Sequence, residues 1–182
     1  MRKITLLLII FLLSFPAFSF AAKQIYFSDK PNPPETRREP PFESTRKQIK
    51  KEFYYLNIRY PRQGTNPADA AALSMKFSVG NECDDMIVFQ VARLKVSAKG
   101  KPVKILPVFY NENAGIVEKG WGALQKYSQP VPSHEHRTVE VFFLPESLNS
   151  KELLLEIAVL VTSPSKKDMA KQEIQLYRGY YS

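Results

Sequence analysis

Between Phe53 and the C-terminus lie several runs in which apolar residues return at every second position. Tyr54, Leu56, Ile58 and Tyr60 share one parity. So do Leu73, Met75, Phe77 and Val79, then Val139, Val141 and Phe143, then Leu153, Leu155, Ile157, Val159 and Val161. Side chains of a strand alternate between its faces, so each run has one face to bury and one to wet. Strands are expected over 53–60, 73–79, 86–98, 103–110, through Val139 to an end at Pro145, over 153–162 and over 174–181. Asn149 and Glu152 resemble a helix start. The β-branched Ile157, Val159 and Val161 favour a strand there instead.

Turn chemistry separates the runs. Pro61, Gly64 and Pro67 end the first, Asn81-Glu82-Cys83-Asp84-Asp85 follows the second, and Lys99-Gly100 suits a hairpin. A long loop is expected over 111–136, and a polar turn over 164–173. Strands with one oily face each stack in two layers. The fold class expected is all-β, an immunoglobulin-like antiparallel sandwich of about seven strands, with a small barrel as the alternative.

The N-terminus sets the compartment. Arg2 and Lys3 precede the apolar 4–13, and small residues follow to Ala22. Positive, oily and small in that order mark a secretory signal over 1–21, with Ala22 as the mature N-terminus. The expected location is periplasmic. Secretion, or an inner-membrane anchor if the signal stays uncleaved, is the alternative. Residues 22–52 hold Pro31, Pro33, Pro34, Pro40 and Pro41 among charges of both signs, and are expected as a disordered basic arm. Residues 53–182 are expected as the sandwich domain.

The net charge of +8 favours anionic partners. An exported chain with no dense Lys/Arg stripe is not expected to meet nucleic acid. The single cysteine, Cys83, excludes an internal disulfide. No Gly-x-Ser-x-Gly elbow and no phosphate-cradling glycine loop occurs, so neither an enzyme nor a cofactor is expected. His134 and His136 are weak candidates for a metal, and through it for a metal-dependent hydrolase. Trp121, between two glycines, has the character of an interface anchor.

Several of these segments fall in a familiar order: Arg59-Tyr60-Pro61 before a loop, Gln129-Pro130-Val131-Pro132, a strand over 137–144, Pro145-Glu146-Ser147-Leu148 before an apolar run, and a final Ile174-Gln175-Leu176-Tyr177-Arg178. The order resembles the N-terminal immunoglobulin-like domain of periplasmic pilus chaperones of the usher pathway. The resemblance implies a module that lends a strand to a partner, with a basic pair, Arg59 and Arg178, holding an acidic group.

The function expected is an exported, non-enzymatic protein-binding module that pairs with another exported protein along a sheet edge. The final strand is the expected edge, Ile174 and Leu176 are its apolar anchors, and the basic arm adds salt-sensitive contacts. The alternative is an envelope component that binds peptidoglycan or lipopolysaccharide.

Overall fold

The computed structural model describes residues 23–36, 40–63, 73–111, 115–119, 128–143 and 149–181. Residues 1–21, expected as a signal segment, and Trp121 lie outside these residues. Among the described residues there are twelve strands: β1 (Gln24–Ser28), β2 (Arg46–Lys50), β3 (Tyr54–Gln63), β4 (Leu73–Asn81), β5 (Ile87–Ala98), β6 (Lys101–Pro102), β7 (Ile105–Asn111), β8 (Gly115–Lys119), β9 (Ser128–Val131), β10 (His136–Phe143), β11 (Glu152–Thr162) and β12 (Lys167–Tyr181). No helix among them is long and apolar enough to cross a membrane.

All strand pairs are antiparallel, in the order β6-β5-β11-β12-β1-β3-β4-β10-β7-β8, with β9 also on β5 and β2 also on β3. The two halves of this sheet enclose one core. Val91, Leu155, Ile157 and Val159 from one half cluster with Leu56, Ile58, Phe77 and Val139 from the other. The result is an all-β sandwich. Every apolar residue expected to face inward on β3, β4, β10 and β11 is buried. Between β5 and β6, Lys99 and Gly100 both take positive φ (49° and 75°). That is the primed two-residue turn whose twist suits a hairpin.

The structure corrects the sequence reading in three places. Among the described residues the strand count is twelve, against the expected seven or so. The expected loop over 111–136 contains β8 and β9, the latter paired with β5 from Ile87 to Gln90. The stretch expected as a disordered arm supplies β1 and β2 to the sheet.

The physical reason for the third correction lies in β1. Phe27 enters the sandwich core, whereas Tyr26 points to the other face and is also fully buried. A strand buried on both faces has no alternation to detect. Tyr26 is covered by the proline-rich segment, since its hydroxyl donates to the Pro34 carbonyl at 2.6 Å. Thr36 N donates to the Tyr180 carbonyl at 3.1 Å, and Lys23 pairs with Glu35 at 2.7 Å. Five prolines in a short span remove backbone donors. The contacts that fix the segment use the Pro34 carbonyl, the N–H of the non-proline Thr36 and the Glu35 carboxylate.

Candidate functional site: an open strand edge and a basic sheet face

β12 joins the two halves of the sandwich, and its pairing is incomplete. Lys167–Tyr177 pairs with β11 on one side. β1 takes the other side, but only from Tyr177 to Tyr181. Among the described residues no strand pairs with the second side of 167–176. Roughly half of the backbone N–H and C=O groups of an edge strand point away from its sole neighbour.

The sequence explains why the lane is open. β1 runs toward it and turns off at Asp29. Tyr60 donates to Asp29 Oδ2 at 3.0 Å, Asp29 N donates to the Ser44 carbonyl at 3.3 Å, and Lys30 N donates to Ser28 Oγ at 3.1 Å. Pro31 follows directly. The Asp29 carboxylate is thus held beside a buried phenol. Burial first, and the Asp29 charge second, raise the Tyr60 hydroxyl above its ordinary 10.0.

At its upper end the lane is framed by a polar tie between the halves. The buried Tyr54 of β3 donates to Asp168 Oδ2 of β12 at 2.7 Å, and Lys51 Nζ lies 3.3 Å from the same oxygen. The Tyr54 hydrogen bond, with Lys51, holds the Asp168 carboxyl below its ordinary value against the opposing effect of burial. Burial, then Asp168, push Tyr54 up. Lys166 pairs with Glu52 beside them. Lys51, Glu52, Phe53, Lys166, Lys167 and Asp168 line a depression of about 400 Å³.

The second feature is the outer face of β2, β3 and β4. Arg46, Arg59 and Lys76 stand opposite one another in adjacent strands. Lys76 has Glu140 at 3.3 Å. A bulge on β3 places Arg59 opposite Lys76 and Arg62 opposite Ser74, so three steps on β3 match two on β4. Residues 59 and 62 would otherwise face opposite ways, and the extra residue returns Arg62 to the face of Arg59.

The expected site residues are not brought together as a set. Ile174 is 5 % exposed and Leu176 is fully buried. Their side chains belong to the core and do not face a partner, which corrects their role as anchors. Parity is the cause, because the even positions Ala170, Ile174 and Leu176 all turn inward. Tyr177–Tyr181 is covered by β1, so the open part of the last strand lies earlier than expected. Arg59 and Arg178 do not converge, because β1 lies between their strands. Arg178 lies over the Tyr180 ring at 5.4 Å.

His134 sits in a turn with φ 57°, its Nε2 3.3 Å from Asp84 Oδ1, while His136 begins β10. Among the described residues no three His, Cys, Asp or Glu side chains converge as metal ligands do. Cys83 is a half-buried free thiol beside Asn81 Oδ1, at 3.0 Å. Sequence reasoning missed Arg46, Arg62 and the 167–173 stretch. The first two were legible only through pairing and a bulge. The third has Ala170 alone to mark its inward face.

No family model matches the chain, and no curated protein matches it in sequence. Solved structures with a related arrangement include the GAE domain of yeast GGA1 (9% identity, 70% of this chain and 94% of that one, TM-score 0.38). The CooA pilin subunit of enterotoxigenic Escherichia coli is another (10% identity, 64% and 84%, TM-score 0.36). The PapD-like domain 7 of human CEP192 is a third (12% identity, 61% and 71%, TM-score 0.30). At these scores they add nothing to the fold, which the strand pairing defines.

Proposed function

We propose that the protein is an exported, non-enzymatic interaction module that takes up an extended segment of another exported protein along the open side of Lys167–Leu176. The single observation carrying this reading is the half-paired β12, ten residues long on its open side. An added strand would run antiparallel to β12, in the lane that β1 leaves at Ser28. Main-chain hydrogen bonds would supply affinity, and alternate side chains selectivity.

Two competing edges support the choice by contrast. β2 is five residues long and carries Arg46, Lys47 and Lys50, the short charged form that blunts pairing. Among the described residues β5 is open over Val91–Lys95, since β9 pairs up to Gln90 and Val103 N donates to the Val96 carbonyl at 2.8 Å. On β12, Ala170, Ile174 and Leu176 anchor the strand in the core, so the edge is rigid before binding. Its own charges, Lys167, Lys171 and Glu173, disfavour an unspecific neighbour. A chaperone-like role, or a place in an envelope or pilus assembly, fits this chemistry.

The test is a photo-crosslinking residue placed in living cells at Lys171 or Gln175, with Lys95 on β5 and Lys47 on β2 as controls. Adducts with one exported protein at both β12 positions and at neither control are expected. Equal adducts at Lys95, or adducts at Lys47 alone, would overturn the assignment.

A further inference from the structure

Like charges set directly opposite on neighbouring strands destabilise a sheet. Arg46, Arg59 and Lys76 form such a row, and among the described residues only Lys76 has a carboxylate partner, in Glu140. Arg46 packs over the Phe42 ring. Among the described residues none of Arg46, Arg59 and Arg62 makes an ion pair with an acidic side chain. The β3 bulge adds Arg62 to this face. Folding alone does not favour the charge row; the bulge is where Pro61, which has no N–H for the ladder, is accommodated.

Two depressions meet at Arg59. The smaller, about 180 Å³, is lined by Arg46, Arg59 and Arg62 with Thr45. The larger, about 360 Å³, carries Tyr55, Asn57, Ser78, His136 and Thr138 beside Arg59 and Lys76. One is a cluster of guanidinium forks and the other is mostly hydroxyl, amide and ring. Asn57 Oδ1 is buried and accepts no hydrogen bond among the described residues. A buried acceptor without a donor is costly.

We infer that the outer face of β2–β3–β4 binds a phosphorylated sugar, with the phosphate on Arg46, Arg59 and Arg62 and the sugar hydroxyls over Asn57, Ser78 and Thr138. Guanidinium forks match phosphate oxygens two at a time. Asn57 lines the larger depression, where a sugar hydroxyl can accept from its amide N–H groups. A polyglutamate peptide would meet the arginines but carry no hydroxyl into the larger depression. The ligand's chemistry is the same whether the sugar phosphate is free or forms the headgroup of a glycolipid.

The test is calorimetric titration of the mature chain at low salt with glucose 1-phosphate, glucose, inorganic phosphate and a polyglutamate peptide. Vesicles bearing a phosphorylated glycolipid are a fifth probe. Glucose 1-phosphate is expected to bind about tenfold tighter than glucose or inorganic phosphate. Arg59→Gln and Arg62→Gln each weaken it about tenfold with an unchanged circular dichroism spectrum, and Lys95→Gln does not. Asn57→Ala keeps phosphate binding and loses the preference for the sugar phosphate.

Vesicle binding through the same arginines assigns the ligand to a lipid headgroup. Binding of the free sugar phosphate without vesicle binding assigns it to a soluble source. Equal affinity for inorganic phosphate and glucose 1-phosphate, preference for polyglutamate, or no loss in Arg59→Gln would each overturn the inference.

Discussion

Replacing Tyr54 by Phe removes one oxygen from the tie between the halves and leaves the ring in place. The Phe53 ring still meets it edge-on at 5.1 Å, so no cavity opens. What is lost is a 2.7 Å hydrogen bond to a carboxylate. A bond to a charged group contributes about 1.5–3 kcal/mol. The Asp168 side chain is 35 % exposed, so water competes for it once the hydroxyl is gone. That exposure lowers the expected loss to about 1–2 kcal/mol.

The pH dependence gives the sharper test. The Asp168 carboxyl is held below its ordinary 3.8, chiefly by Tyr54. A depressed carboxyl stabilises the fold at pH values above the unfolded-state value, and that stabilisation fades as pH falls through the folded-state value. The stability gap between wild type and Tyr54→Phe, measured by urea denaturation, is therefore expected to be full near pH 7 and to shrink at about pH 2.5. Crossing the change with Asp168→Asn should give a coupling energy of about 1 kcal/mol. A gap below about 0.3 kcal/mol at pH 7, or one equal at both pH values, would refute the reasoning.

Three further outcomes follow from the same contacts. Gly179→Ala drives a Cβ into the ring of Tyr26, which is fully buried and fixed to Pro34, whereas Gly80→Ala meets the half-buried ring of Tyr55; urea unfolding should show losses of about 2 kcal/mol and below about 1 kcal/mol respectively. Arg59→Gln relieves the Arg46–Arg59–Lys76 row and should gain a few tenths of a kcal/mol at low salt, a gain that disappears at about 0.5 M salt. The Tyr54 and Tyr60 hydroxyls are held above the ordinary 10.0, so their contribution is complete below that value and lost as pH rises beyond it. Thermal melts should fall from about pH 10 upward, and less steeply in Tyr60→Phe.

The half-buried strands were legible because each carries its own period. Leu153 to Val161 alternates over nine positions, and β11 buries every one of its odd residues there. Lys76 and Ser78 were equally readable as the solvent side of β4. The strands that escaped notice carry no such signal. β1 buries Tyr26 and Phe27 on opposite faces, and β2 has Ile49 as its only aliphatic residue. The early part of β12, Lys167 to Glu173, shows a turn-like composition because an edge strand is kept polar to resist stray pairing.

The same physics hid both candidate sites. Periodicity says which face a residue takes but not which strand stands beside it. The register that sets Arg46 against Arg59 depends on two chain segments meeting. The bulge at Tyr60-Pro61 cancels parity for Arg62, so no reading of odd and even positions places it with Arg59. The open lane arises where β1 turns aside at Asp29, through bonds to Tyr60 and Ser44 that lie far along the chain. The expected anchors, Ile174 and Leu176, have the right chemistry, and parity points them at the core.

Residue-resolved amide hydrogen exchange across β12 tests the central claim most directly. In the isolated protein the account predicts alternation over 168–176, with slow amides donated to β11 separated by amides on the open side that exchange at least about a hundredfold faster. Uniform slow exchange across the whole stretch, matching β11, would mean that the lane is already filled, and would contradict it.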